Sequence, residues 1–256
     1  MDPHTILILV AAGVGVGIMA AIVGGAAVIA YPVLIATGLT PQVAAISNIT
    51  ALVPGIILAA LSDRSQLPPV NRAFVGMVIA SIAGAALGAL LLLLTPDHVF
   101  SVLVPLLLGF ATLLFAFAGR ISTWLRSRAA QRGHDITFSL TSLKMLLPVS
   151  FYGGYFGAGV GVLLLGVFAL ATGGDYRSAN VTKNLVSGLN GLSAAVVFAA
   201  KGAVMWPHTL ALMAGTVVGG LIGAYAARRI PHNVMRVVVV VIGAALTIDF
   251  ARQYWF

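Results

Sequence analysis

The chain has 256 residues, of which 60% are apolar and only 8% charged, and its mean hydropathy is +1.08. This lies outside the range of soluble globular domains and describes an integral membrane protein built as one polytopic unit. The net charge of +8 does not indicate a nucleic-acid binder: the cations sit in short connections between apolar runs, where they act as topogenic charge and attract anionic lipid.

The absence of cysteine excludes disulfides, thiolate metal sites and cysteine nucleophiles. The opening MDPHTILILV lacks the basic region and cleavage site of a secretory signal, so the first apolar stretch is expected in the mature protein. Apolar runs follow at 5–38, 43–61, 73–94, 99–118, 140–172, 179–200, 207–227 and 233–250. Most have the length of a helix that crosses a hydrocarbon layer about 30 Å thick. The runs 5–38 and 140–172 would extend about 50 Å as straight helices, too far for one crossing. Glycines interrupt both, at Gly24 and Gly25 and at Gly157, Gly159 and Gly161. Each is expected to be a helix, a break and a second short helix.

The pattern repeats at an offset of 135. Gly24 matches Gly159, Ala36-Thr37-Gly38 matches Ala171-Thr172-Gly173, Gly84 matches Gly219, Gly88-Ala89 matches Gly223-Ala224, and Pro96 matches Pro231. A duplication gives a first transmembrane repeat at 1–118, a basic cytoplasmic linker at 119–139 and a second repeat at 140–256. Lys and Arg concentrate at 62–72, 119–139 and 228–236, and the positive-inside rule places all three in the cytoplasm. The overlong run of the second half must then return to its starting side, as a hairpin or a re-entrant pair. The expected fold is all-α and polytopic, with two inverted repeats, each a glycine-broken hairpin followed by three transmembrane helices. That gives eight spans with each hairpin counted once, or ten with each counted as two helices. Inverted repeats with broken helices are a transporter architecture, in which freed helix N-termini face an anionic substrate.

Polar residues cluster just after each hairpin, in AAISNITALVPG (44–55) and ANVTKNLVSGLN (179–190). Ser47, Asn48, Thr50, Thr182, Asn184 and Asn190 can hydrogen-bond between helices or line a wet cavity. Lys183 can face the same cavity or reach back to headgroups. With Gly24, Gly25 and Gly159 these are the candidate substrate-binding residues. The six acids are all Asp, five of them in the tail or connections and Asp249 near the end of the last span, so no mid-membrane carboxylate is expected to hold a cation. Neutral donors, helix N-termini and Lys183 suit an anion. No nucleophile-and-base pair points to an enzyme, and the scattered histidines have no metal-ligand spacing. No cofactor is expected. Gly84-x-x-x-Gly88 and Gly219-x-x-x-Gly223 let helices approach closely, within one chain or across a homodimer.

SNITALVPG with LAALSDR (58–64), YGGYFGAGVG (152–161), NVTKNLVSGLNGLSAAVVF with KGAVMW (201–206), and GGLIGAYAARRIP (219–231) resemble the TauE/SafE family of sulfite and organosulfonate exporters. The resemblance covers nearly the whole chain and is densest over 20–64 and 148–246. It implies a multi-pass transporter of the bacterial inner membrane that exports a small sulfur oxyanion, sulfite or a short organosulfonate such as sulfoacetate, by alternating access. The rivals are a passive anion channel and a permease for another small anion or carboxylate.

Overall fold

The computed structural model describes residues 1–22, 27–131, 140–171, 175–226 and 232–255. These form α1 (Pro3–Ile22), α2 (Ala27–Ala36), α3 (Pro41–Leu61), a 3-10 turn at Arg64–Gln66, α4 (Arg72–Leu94), α5 (Asp97–Gln131), α6 (Leu140–Tyr155), α7 (Val160–Ala171), α8 (Tyr176–Ala200), α9 (Trp206–Ala226) and α10 (His232–Trp255). Among the described residues six helices are long and apolar enough to cross a membrane: α1, α3, α4, α5, α9 and α10. Their outward faces carry exposed Leu, Val and Phe, such as Leu90, Leu113 and Val218, as lipid contact requires. The chain is a polytopic membrane protein.

Local signals explain the boundaries. Pro41 opens α3, where its missing N–H costs nothing. The Asn71 side chain caps α4 by accepting from Phe74 N at 2.9 Å. Asp175 caps α8, accepting from Arg177 N and Ser178 N, each at 3.2 Å. The run 119–131, expected as a linker, instead continues α5, which reaches 35 residues. After Gly119 it holds neither proline nor glycine, so nothing in RISTWLRSRAAQ stops the helix. The rest of that linker, 132–139, lies outside the described residues, as do Gly24 and Gly25.

The helix order runs twice at the 135-residue offset: α3 starts at 41 and α8 at 176, α5 at 97 and α10 at 232. Helix contacts follow the same exchange, α1 packing on α9 as α6 packs on α4, and α3 on α9 as α8 on α4. The equivalent helices α3 and α8 run antiparallel, as do α5 and α10. Gly188 of α8 meets Ile57 of α3 while Gly191 meets Val53. Trp255 Nε1 of α10 donates to Val102 O of α5 at 3.0 Å, while Gly243 sits against Thr112.

Small residues permit the tightest of these contacts. A Cβ at Gly13 or Gly17 would overlap the backbone of α9, and one at Gly84 or Gly88 the backbone of α6. Gly219 and Gly223 are likewise pressed against α1. Both small-residue faces are therefore covered within the chain, so a homodimer would have to use another surface.

Candidate functional site

α3 and α8 flank a cavity of about 50 Å³ that residues of α1, α2 and the α6–α7 break complete. A water needs roughly 10–15 Å³ on this measure, so there is room for a few waters or one small oxyanion. From α8 come Lys183, Asn184, Ser187, Asn190 and Gly191, and from α3 Asn48, Ile49, Leu52 and Ile56. Lys183 lies two turns into α8, about 10 Å from its start. It is 1% exposed, and its Nζ has no hydrogen-bond partner among the described residues. The side-chain amine therefore faces the cavity and does not reach headgroups.

The lining is symmetric in position and asymmetric in chemistry. Asn48, Ile49, Leu52 and Ile56 are followed 135 residues later by Lys183, Asn184, Ser187 and Gly191, and all eight line the same cavity. Yet α3 contributes one polar side chain, whereas α8 contributes a cation, a hydroxyl and two amides. The expectation of two equal polar clusters is thus corrected: the positions are equivalent, but the polarity is concentrated on α8. Asn48 Oδ1, Asn184 Oδ1 and both polar atoms of Asn190 are buried without partners among the described residues. Asn184 Nδ2 makes a long contact with Ala21 O at 3.5 Å. Among the described residues no carboxylate lines the cavity.

The α6–α7 break is built from its own residues. Gly157 and Gly159 both have φ +79, in the left-handed region where a Cβ is strained. Tyr152 Oη donates to Ala158 O at 2.6 Å and pins the turn. Phe156 packs among Tyr31, Phe100 and Tyr152, tying the break to α2 and α5. Gly161, expected in the break, belongs to the first turn of α7. Val160 and Gly161 begin α7 at the cavity, so one helix N-terminus borders it; Val160 N and Val162 N already donate to Gly157 O at 3.4 Å and Gly159 O at 3.0 Å. Backbone N–H groups at such ends lack intrahelical acceptors and favour negative charge.

Of the expected site residues, Asn48, Lys183, Asn184 and Asn190 come together around the cavity. The others among the described residues do not line it. The Thr50 hydroxyl donates to Ile46 O at 2.9 Å and Thr182 to Ser178 O at 2.8 Å, each back onto its own helix. Ser47 is fully buried with an unpartnered hydroxyl outside the lining. Gly159 packs against Ala111 of α5, so its work is the turn and that contact. Ser187, Gly153 and Gly191 were missed. Ser187 lies four residues after Lys183 on the same helical face, a spacing that could have identified it.

A second cavity, of about 220 Å³, lies beside the first, where α3 ends and α8 begins. Asp63, Tyr176, Arg177 and Asn180 line it, and Asn184 and its neighbour Ala21 line it from the inner side. Asn184 faces both cavities.

A sequence model described as "Sulfite exporter TauE/SafE" matches residues 9–250. A Haemophilus influenzae protein named "Probable membrane transporter protein" is 24% identical over 237 residues, covering 92% of this chain and 91% of its own. A Sinorhizobium protein named "Probable membrane transporter protein ORF9" is 28% identical over 246 residues, covering 96% and 92%. No solved structure matches the chain. With its family pattern running from the first helix to the last, the chain belongs to the TauE/SafE family of membrane transport proteins.

Proposed function

We propose that the protein is a secondary transporter of the bacterial inner membrane that exports a small sulfur oxyanion, sulfite or a short organosulfonate, by alternating access between two inverted halves. The observation that carries it is the unpartnered Lys183 ammonium, buried in an acid-free cavity with Asn48, Asn184, Ser187 and Asn190. A buried cation costs free energy unless something compensates it, and a bound anion would do so. The amides, the hydroxyl and the start of α7 replace hydration around the oxyanion. Antiparallel equivalent helices around a midplane site are the geometry of inverted-repeat transporters, which work by alternating access. An interior-negative potential favours anion exit by about 2.3 kcal/mol per charge per 100 mV. The small volume of the cavity favours a saturable site over an open pore.

The test is flux of labelled sulfite, sulfoacetate, taurine and sulfate in proteoliposomes, with Lys183→Ala and Asn48→Ala alongside. Saturable flux of a sulfur oxyanion that both substitutions weaken is expected. Absence of saturable flux for all four would overturn the substrate assignment.

A further inference from the structure

We propose that Arg177 and Asp63 form an ionic latch that closes the outer cavity, and with it the route to the central one, at the end of the bundle carrying the 62–72 connection. The proposal rests on the alternating-access account above, in which such a route must open and close.

The pair is bidentate: Arg177 Nε donates to Asp63 Oδ2 at 2.7 Å and Nη2 to Asp63 Oδ1 at 2.9 Å. Beside it, Ser178 Oγ donates to Gln66 O at 3.0 Å. Together these bonds tie the first turn of α8 to the connection after α3, that is, one half of the molecule to the other. Behind the pair, Asn180 and Asn184 follow Arg177 along one face of α8 toward Lys183 and Ser187, at helical spacing. The Asn180 Oδ1 is buried without a partner among the described residues. A polar track thus runs from the ion pair to the central cavity.

At the opposite end, where Trp255 Nε1 of the second half donates to Val102 O of the first, the equivalent helix start makes different bonds. Gln42, 135 residues before Arg177, holds the equivalent helix start. Its Nε2 donates to Leu92 O at 2.6 Å and Thr95 O at 2.8 Å, and its backbone N to Asp97 Oδ1 at 3.2 Å. All three acceptors lie within its own half. Those bonds stay within residues 1–118, whereas the Arg177–Asp63 pair joins α8 to the connection after α3 across the mouth of the outer cavity. The Arg177 side chain is 54% exposed, so water and salt can compete for the pair.

Because the chain has no native cysteine, Asn180→Cys gives a single thiol behind the latch. Its alkylation by a charged maleimide is measured in nanodiscs, in the otherwise unchanged chain and with Asp63→Asn, Arg177→Gln, or the exchanged pair Asp63→Arg with Arg177→Asp. Neutralising either partner is expected to speed labelling by about five-fold, the effect of one exposed ion pair, and the exchange to restore the slow rate. In the chain with its latch intact, raising salt should also speed labelling, a measurement that needs no charge substitution. A Lys201→Cys control, in the exposed turn after α8, should label equally in every background. Equal labelling of Asn180→Cys with and without the charges, and no effect of salt, would overturn the latch. Anion flux with unchanged labelling would remove the latch alone; latch-dependent labelling without anion flux would remove the substrate assignment alone.

Discussion

Asn48 and Lys183 occupy equivalent positions, 135 residues apart, on two antiparallel helices, and they face the same cavity. An amide thus stands on one wall and a lysine side chain on the other. The difference gives a nearly symmetric pocket a cationic side. The buried amine has no carboxylate beside it in the lining, unlike the cation of a structural ion pair.

Lys183→Met should therefore separate stability from transport. Methionine keeps most of the length of the side chain and removes a charge that costs about 2.5–3.5 kcal/mol to hold at the centre of a membrane helix. The purified variant is expected to melt no lower than the parent in the absence of anion, as measured by thermal unfolding in detergent. A fall in Tm would mean that the ammonium is structurally paired.

Asn48→Ala removes a lining amide and should weaken apparent substrate affinity by about ten-fold or more, the range for a hydrogen bond to a charged group. Thr50→Val and Thr182→Val should stay within about two-fold, because each hydroxyl is bonded to a carbonyl of its own helix. Concentration dependence of flux for the three variants checks this; a larger effect at either threonine would place that residue in the site.

Much of this arrangement was legible in the sequence, for identifiable reasons. The α6–α7 break announces itself because its glycine-interrupted apolar run is too long for one crossing, and Gly157 and Gly159 do adopt left-handed backbone conformations, whereas Gly24 and Gly25 lie outside the described residues. Lys183, Asn184, Asn190 and Asn48 stand out because polar side chains are costly in a span. The same rule misleads at Thr50 and Thr182, since a hydroxyl can satisfy itself on the preceding turn, and sequence does not show which way it turns. Ser187 escaped because serine in a small-residue helix attracts no notice without a known face. The continuation of α5 to Gln131 escaped because charge was read as a connection, although charged residues extend a helix readily once it leaves the membrane.

Gly17→Ala and Gly15→Ala should have opposite effects, though the two residues are neighbours in one motif. A Cβ at Gly17 overlaps Thr216 O and the α9 backbone, and overpacking of this kind typically costs about 1–3 kcal/mol. Around Gly15 nothing lies within 4 Å, so alanine there should gain up to about 1 kcal/mol of helix propensity. Denaturation midpoints of the two variants would reveal the difference, and equal midpoints would contradict the α1–α9 packing.

Gly157→Ala forces a Cβ onto a φ of +79 and brings it within 3.3 Å of Ile49 Cγ1. A left-handed conformation costs an L-residue about 1–2 kcal/mol, so lower thermal stability is expected together with reduced transport, because Gly157 and Ile49 both line the cavity. Unchanged stability would show that the α6–α7 turn does not need this geometry.

The central claim, that the Lys183 cavity takes the transported anion, is tested most directly by charge movement. Proteoliposomes on a solid-supported electrode are exposed to a jump in sulfite concentration, with parent protein and Lys183→Met in parallel. A transient current that saturates with sulfite in the parent and is at least about ten-fold smaller in the variant is the predicted result, matching loss of a hydrogen bond to a charged group. Currents of equal size in both proteins would contradict it.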